Sequence, residues 1–437
     1  MSREEVVIFW FRRDFRLEDN ASLFHALKNE KKVLPLFIFD REILDKLEDK
    51  KDARVQFIHQ EIARIKEELK GFGSDIAVKH GVPMEIWKDL FSEYKIKAVY
   101  ANKDYEPYAG ERDKEVADLL RQNGAEFNSF KDHVIFEKSE VTKDDGSPYV
   151  VFTPYSKRWL AAFDSDEFQP FENQKYFDSF YQFNAKTTPT LEEMGFESFD
   201  FDYPSREIQI GVVDKYDERR DIPSIKGTSR LSIHLRFGTV SIRQLVAVAQ
   251  KHNEVWLKEL IWRDFYQMII SHFPHSAKDS FRPAYDKIPW RNNEAEFEAW
   301  CQGNTGYPIV DAGMRELNKT GFMHNRVRMI TASFLTKHLL VDWRWGEAYF
   351  AKKLLDFELA SNVGGWQWAS GSGCDAAPYF RVFNPELQTK KFDPEMKYIK
   401  KWVPEFQELT YKPVVEHKMA RNRAIDTYKK ALSQTAS

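Results

Sequence analysis

The chain has 437 residues, a formal net charge of −3 and 15% aromatic residues, 12 of them tryptophan. That length suggests two or three domains with ample core, and the slightly acidic balance excludes a protein that coats nucleic acid over its whole surface while leaving room for a local basic face. Two distant cysteines, Cys301 and Cys374, provide neither a disulfide framework nor metal-ligand spacing, and with a charged N-terminus and no long apolar run a soluble, cytoplasmic protein is expected.

Residues 5 to about 135 alternate short apolar runs with amphipathic segments. VVIFWF, VLPLFIF, DIAVKH, IKAVYA and FKDHVIF read as buried strands and the segments between them as helices. The spacing predicts a helix near 54–70, with Val55, Ile58, Ile62, Ile65 and Leu69 on one stripe and Gly71 as its stop. This βαβ pattern predicts a doubly wound parallel sheet in an α/β domain over 1–135. No G-x-G-x-x-G follows the first strand, which excludes a conventional dinucleotide site there. From 136 to 204 periodicity fades: DDGSP at 144–148 has turn chemistry, and a Phe-rich polar run follows, so an interdomain linker anchored by its aromatics is expected. From 205 to 437, segments such as SIRQLVAVAQKH, VWLKELIWRDFYQMIISHF and NRVRMITASFLTKHLLV repeat apolar residues at three and four, predicting an all-α domain.

Several polar groups in that second half have chemical potential. Thr228, Ser229 and Ser232 are small hydroxyls ahead of an apolar run, a composition that suits both ordinary helix capping and a pyrophosphate cradle. Glu259, Trp262 and Tyr266 fall at i, i+3 and i+7 and so share one helix face, where a solvated Glu over core aromatics is the bland alternative. The stretch from Asp356 to Pro385 is the most unusual. It has no charged side chain between Glu358 and Asp375, and Gly364, Gly365, Gly371 and Gly373 lie among Asn362, Trp366 and Trp368. It reads as irregular backbone and short helix pressed against a large flat apolar body. A buried glycine-aromatic loop of a helical core explains its composition equally.

The ordered motifs decide between these readings. VVIFWFRRDFRLEDN, TGFMHNRVRMITASFLTKHLLVDWRWGEAYF, NVGGWQWASGSGCDAAPYFRVFNP and VEHKMARNRA together resemble the DNA photolyase and cryptochrome family, nearest to its class I cyclobutane pyrimidine dimer photolyases, over almost the whole chain. The resemblance implies an α/β domain holding a light-harvesting chromophore and an all-α domain holding FAD. It implies that Tyr216, Thr228, Ser229 and Ser232 contact the FAD phosphates, that Arg328 and Asp356 pair beside the isoalloxazine, and that Asn362 faces its N5. Glu259, Trp262, Tyr266, Asn325, Met329 and Trp368 would form the lesion pocket, with Met329 standing where relatives acting on the (6-4) photoproduct carry a His. His324 would be structural. Arg220, Arg263, Arg326 and Arg381 would line the DNA face, and Trp290, Trp343 and Trp366 would pass electrons from the surface to the flavin. Glu106 would meet the antenna, a folate-type pterin or a deazaflavin or flavin.

The implied function is light-driven repair of cyclobutane pyrimidine dimers in UV-damaged DNA: an electron passes from excited reduced FAD to a flipped-out dimer and returns after the ring splits. No metal and no membrane partner are implied, and a monomer is expected. A cryptochrome-type blue-light receptor is the rival within the family. Retention of Glu259 and Met329, and the short sequence after VEHK, favour repair. A nicotinamide-linked flavoprotein lacks its fingerprint here, and a plain DNA-binding module does not account for the glycine-tryptophan centre.

Overall fold

Four of the five runs expected as strands pair in the computed structural model, joined by EFNSF, and the structure describes residues 3–165, 167–185, 187–408 and 410–433. The strands are β1 (Glu5–Phe11), β2 (Val33–Asp40), β3 (Ala77–Gly81), β4 (Lys95–Asn102) and β5 (Glu126–Phe130). Every pairing is parallel and the order is β3-β2-β1-β4-β5, so the chain starts at the centre, winds outward one way, and then crosses to the other edge. Parallel strands need cover on both faces, which is why β1 and β2 are almost unbroken apolar runs with every residue from Val6 to Phe11 and Val33 to Asp40 buried.

The helix predicted near 54–70 spans Ala53–Lys70, and Asp52 caps it by accepting the Arg54 N–H at 2.8 Å. Val55, Ile62, Ile65 and Leu69 are buried; Ile58 is only half-buried. Gly71 is the C-cap but stays right-handed at φ −60°, so the stop does not use glycine's left-handed freedom. One strand expectation needs correction. FKDHVIF supplies only Phe130 to the sheet; the fifth strand is EFNSF, and Val134, Ile135 and Phe136 are buried as irregular chain beyond it. An edge strand needs little apolar content, and its half-buried polar residues hid it from a search for hydrophobic runs.

Contacts divide the chain into two units. The first comprises 1–137, 164–207 and 230–248; the second comprises 138–163, 208–229 and 249–437. Residues 230–248 are tied into the first by a buried ionic network. Arg243 pairs with Asp19 and Asp132 at 2.7 Å each, and Arg16 pairs with Asp132 at 2.6 Å. Burial alone would raise the Asp132 carboxyl, but these two guanidinium groups hold it well below the usual carboxylate range.

The second unit is helical among its described residues. Its Glu254–His272 helix is capped by Asn253, whose side chain accepts the N–H groups of Val255 and Trp256, and it ends just before Pro274, which disfavours helical backbone at the residue preceding it. Asn325–Ser333 runs into a π-helical turn, Phe334–Leu339, closed by Leu340 in the left-handed region. That turn buries Lys337, whose Nζ donates to the Ser370 carbonyl at 2.7 Å and lies 3.6 Å from the centre of the Tyr428 ring; burial holds this amine well below its ordinary pKa. The carbonyl it binds closes the Leu359–Ser370 helix, a terminus whose free acceptors favour a donor of this kind.

The glycine-tryptophan stretch is more regular than its composition suggested. VGGWQW lies inside the Leu359–Ser370 helix, and only Gly371 after it takes a positive φ, +90°. Gly364 serves close approach instead: a Cβ there would overlap the Tyr266 ring. Among the described residues no helix is long and apolar enough to cross a membrane.

Candidate active site

Glu259, Trp262 and Tyr266 project from one face of the Glu254–His272 helix. The Glu259 carboxylate pairs with Arg220 at 2.5 Å, and Arg220 lies 5.5 Å over the Tyr216 ring. Burial pushes Glu259 up, opposed by Arg220, so its carboxyl takes a proton more readily than a solvated glutamate. Trp262 stands 5.3 Å from Tyr266, and Tyr266 lines a small cleft with Gly364, Trp368, Gly373, Cys374, Asp375 and Ala376. Burial likewise raises the Tyr266 phenol, which stays neutral in the cleft.

Asn325, Arg326 and Met329 lie in the first turns of the Asn325–Ser333 helix. His324 caps it: Nδ1 accepts the Arg326 N–H at 3.2 Å, and burial pushes the imidazole down to about 4. A neutral ring with Nδ1 as acceptor fits the structural role expected for it. Arg326 pairs with Asp221 at 2.8 Å, lies 4.4 Å over the Phe392 ring, and points an N–H at the Met329 sulfur at 3.6 Å. Since Asp221 follows Arg220, one short loop ties together the charges of two pocket helices.

The residues expected around a flavin ring are also organised. Arg328 pairs with Asp356 at 2.9 Å and donates to the Met323 carbonyl at 2.7 Å. Asn362 donates through Nδ2 to Glu347 Oε1 at 2.8 Å and to the Glu347 carbonyl at 3.1 Å, which fixes the amide's orientation. Glu347 was not singled out from sequence, because its link to Asn362 spans two helices. Burial raises its carboxyl, and the bond from Asn362 only partly offsets this. A raised carboxyl favours the protonated form in the fold, so its contribution is fully present below the ordinary value of 4.5 and is lost as pH rises through the raised value. Glu347→Gln keeps an acceptor for Asn362 and is expected to gain melting temperature over the parent from acid toward neutral pH. A difference that stays constant across that range would contradict this.

Trp366 is buried, edge-on to Trp300 at 5.9 Å and to Phe350 at 4.9 Å. Trp343 is buried in the same core cluster, and Trp290 packs against it half-exposed, 5.8 Å from Tyr428. The indole N–H groups of Trp343 and Trp366 are buried without hydrogen-bond partners among the described residues. Of the arginines expected on a DNA face, Arg381 is exposed, and Arg220 and Arg326 have side chains 26% and 19% exposed. Arg263 is turned inward, 10% exposed and bonded to Glu358 at 3.0 Å.

Tyr216 opens a one-turn helix, and Thr228 and Ser229 are half-buried in the same unit. Ser232 belongs to the first unit, where it starts the Ser232–Phe237 helix. Glu106, also in the first unit, is held by Arg13 at 3.1 Å and Arg236 at 3.2 Å. Beside it, at the carboxyl end of β1, Arg12 and Arg112 lie 5.3 and 4.8 Å over the Trp10 ring. Glu347 and Glu358, which sequence reasoning missed, share one property: each bonds a partner more than ten residues away, so no local spacing announces it.

Comparison with known proteins gives one answer along the chain. Residues 7–175 match the family described as DNA photolyase, and residues 256–434 match the FAD binding domain of DNA photolyase. A deoxyribodipyrimidine photo-lyase from Synechococcus is 36% identical over 437 aligned residues, covering 94% of this chain and 90% of that protein. A bacterial class III photolyase from Agrobacterium tumefaciens has a similar structure, with a TM-score of 0.86 at 32% identity over 99% of this chain and 98% of its own. An archaeal photolyase from Sulfolobus tokodaii, solved with two FAD molecules, gives 0.85 at 35% identity, covering 98% of this chain and all of its own, 100%.

Proposed function

The chain belongs to the DNA photolyase family, and from that premise we propose that it repairs cyclobutane pyrimidine dimers in UV-damaged DNA with light. The observation that carries this reading is the cleft. Trp368 and Tyr266 line it, Trp262 stands beside it, and the Glu259 carboxyl lies one turn along the same helix face. Two fused pyrimidines taken out of a duplex need aromatic faces and a few polar contacts, and this cleft offers both.

The donor set of the second unit fits FAD. Arg328 and Asp356 form a charged pair for the polar edge of a flavin, Asn362 offers an oriented neutral amide, and Tyr216, Thr228 and Ser229 offer hydroxyls for phosphates. When bound, FAD supplies the photoexcited electron that enters the dimer. The chain's own residues do the rest. Trp262 and Trp368 stack on the flipped-out bases, and Glu259, whose carboxyl is raised by burial against the opposing Arg220, hydrogen-bonds the dimer through a contact that strengthens as negative charge develops there. Arg220, Arg326 and Arg381 grip flanking phosphates, contributing salt-dependent, sequence-independent affinity. Met329, lacking a proton to give, favours the cyclobutane lesion over the (6-4) photoproduct.

The domain assignment follows the same reading. The α/β unit carries the antenna chromophore at the carboxyl ends of β1 and β4, where Trp10, Arg12, Arg13, Glu106 and Arg112 gather, the place at which ligands bind doubly wound sheets. The helical unit carries FAD and the lesion.

Glu259→Ala is expected to lower repair per absorbed photon about tenfold at saturating DNA, the worth of one hydrogen bond to a charged group, while weakening binding less. Glu259→Gln, which keeps a donor, recovers most of the loss. Equal losses in binding and yield, or no rescue by Gln, would remove Glu259 from this role. The lesion class is tested by competition for binding in the dark: a cyclobutane dimer is expected to outcompete both a (6-4) photoproduct and undamaged DNA, and preference for the (6-4) lesion would overturn the substrate assignment.

A further inference from the structure

The stretch 138–163, which read as linker, is bound along the Glu254–His272 helix at three points. His272 Nε2 donates to the Lys138 carbonyl at 2.7 Å, the Trp159 indole N–H donates to Asp264 at 3.1 Å, and the Phe152 ring lies 3.7 Å from that of Trp262 with only 7° between their planes. The last contact is the informative one. Trp262 meets Phe265 and Tyr266 at longer distances and steeper angles, 5.5 Å at 83° and 5.3 Å at 34°. Aromatic pairs left to themselves avoid a full face-to-face sandwich, because the like-charged faces repel. The geometry is therefore imposed from outside the pair.

Its source is Asp375. The Phe152 N–H donates to Asp375 Oδ2 at 3.1 Å, pinning the start of the Phe152–Ala162 helix to the loop that forms one wall of the cleft. An acidic side chain beside a pocket for polyanionic DNA is otherwise out of place; here one of its oxygens is committed to backbone. Phe152 is 8% exposed, whereas Trp262 remains half-buried, so the indole has one face covered and the other available.

We propose that Phe152 and Asp375 are positioning residues for the lesion pocket: Phe152 fixes the plane of the Trp262 indole, and Asp375 fixes Phe152. The inference rests on the reading of Trp262 as a stacking surface. A free indole would have to be ordered each time a dimer entered. A backed indole is ordered in advance, and the difference appears as affinity.

The test uses the full-length, flavin-loaded protein and measures dark binding of an oligonucleotide with one thymine cyclobutane dimer, beside its undamaged counterpart. Phe152→Ala is expected to weaken dimer binding about threefold to tenfold, the cost of ordering one large side chain, leave the undamaged duplex unchanged, and have no further effect in a Trp262→Ala background. Phe152→Tyr restores parental affinity. Asp375→Ala follows Phe152→Ala, and Asp375→Asn, which keeps the acceptor, stays near the parent. If Phe152→Ala yields no folded protein, Phe152→Leu, checked by flavin content and melting temperature, takes its place with the same expectations. An equal loss in the Trp262→Ala background, or an equal loss for undamaged DNA, would overturn the proposal.

A second readout does not depend on the lesion. In protein labelled with 5-fluorotryptophan, the ¹⁹F resonance of Trp262, assigned with Trp262→Phe, is sharp in the parent and broadened or split in Phe152→Ala. An unchanged resonance overturns the positioning role. A parent without preference for dimer DNA, combined with a changed resonance, counts against the lesion reading alone.

Discussion

Trp262→Ala weakens binding of a cyclobutane dimer about tenfold to a hundredfold, the worth of one stacked base, and leaves affinity for undamaged duplex nearly unchanged. The expectation follows from where the indole stands. It is half-buried, backed on one face by Phe152 and flanked by Tyr266, so alanine removes a prepared surface. On the proposed reading, undamaged DNA stays outside the cleft and is held through arginines such as Arg381, which the substitution does not touch. Electrophoretic or fluorescence titration of both oligonucleotides measures the split. A parallel loss for both would mean that Trp262 supports the fold and does not meet the lesion.

Trp366→Phe is expected to bring light-driven reduction of the bound oxidised flavin close to background, while chemically prereduced protein repairs at nearly the parental rate. Trp366 lies one helical turn after Asn362, so the two share a helix face. Its ring is 2% exposed, rests edge-on to Trp300 and Phe350, and would overlap a Cβ at Gly346, so a phenyl group keeps most contacts in a space shaped for an aromatic ring. A phenyl ring is much harder to oxidise than an indole, and electron supply should fail for that reason alone. Flash photolysis with an external reductant measures it. Loss of repair in prereduced protein would show that the substitution damages the site; unchanged photoreduction would mean that the electron path bypasses Trp366.

How much of this was legible in the sequence depends on the range over which each feature acts. β1, β2 and β4 announce themselves because a central parallel strand is buried on both faces. Glu259, Trp262 and Tyr266 could be placed on one face because three and seven residues are helical neighbours. β5 escaped notice because an edge strand carries little hydrophobic signal, and FKDHVIF misled because an apolar run can be buried without pairing. The VGGWQW run read as irregular because glycine usually marks loops. Here Gly364 removes a side chain so that Tyr266 can approach a continuous helix, a reason that lies 98 positions away in the chain. The same holds for Asn362, for which the family resemblance implies a flavin contact while its orientation depends on Glu347.

The central claim is tested most directly by incubating flavin-reduced protein with an oligonucleotide containing a single thymine cyclobutane dimer, under blue light and in the dark, beside one containing a (6-4) photoproduct. The account predicts catalytic, light-dependent restoration of the cyclobutane substrate alone. Repair of neither lesion by protein whose flavin photoreduces normally would contradict it and favour a blue-light receptor built on the same fold.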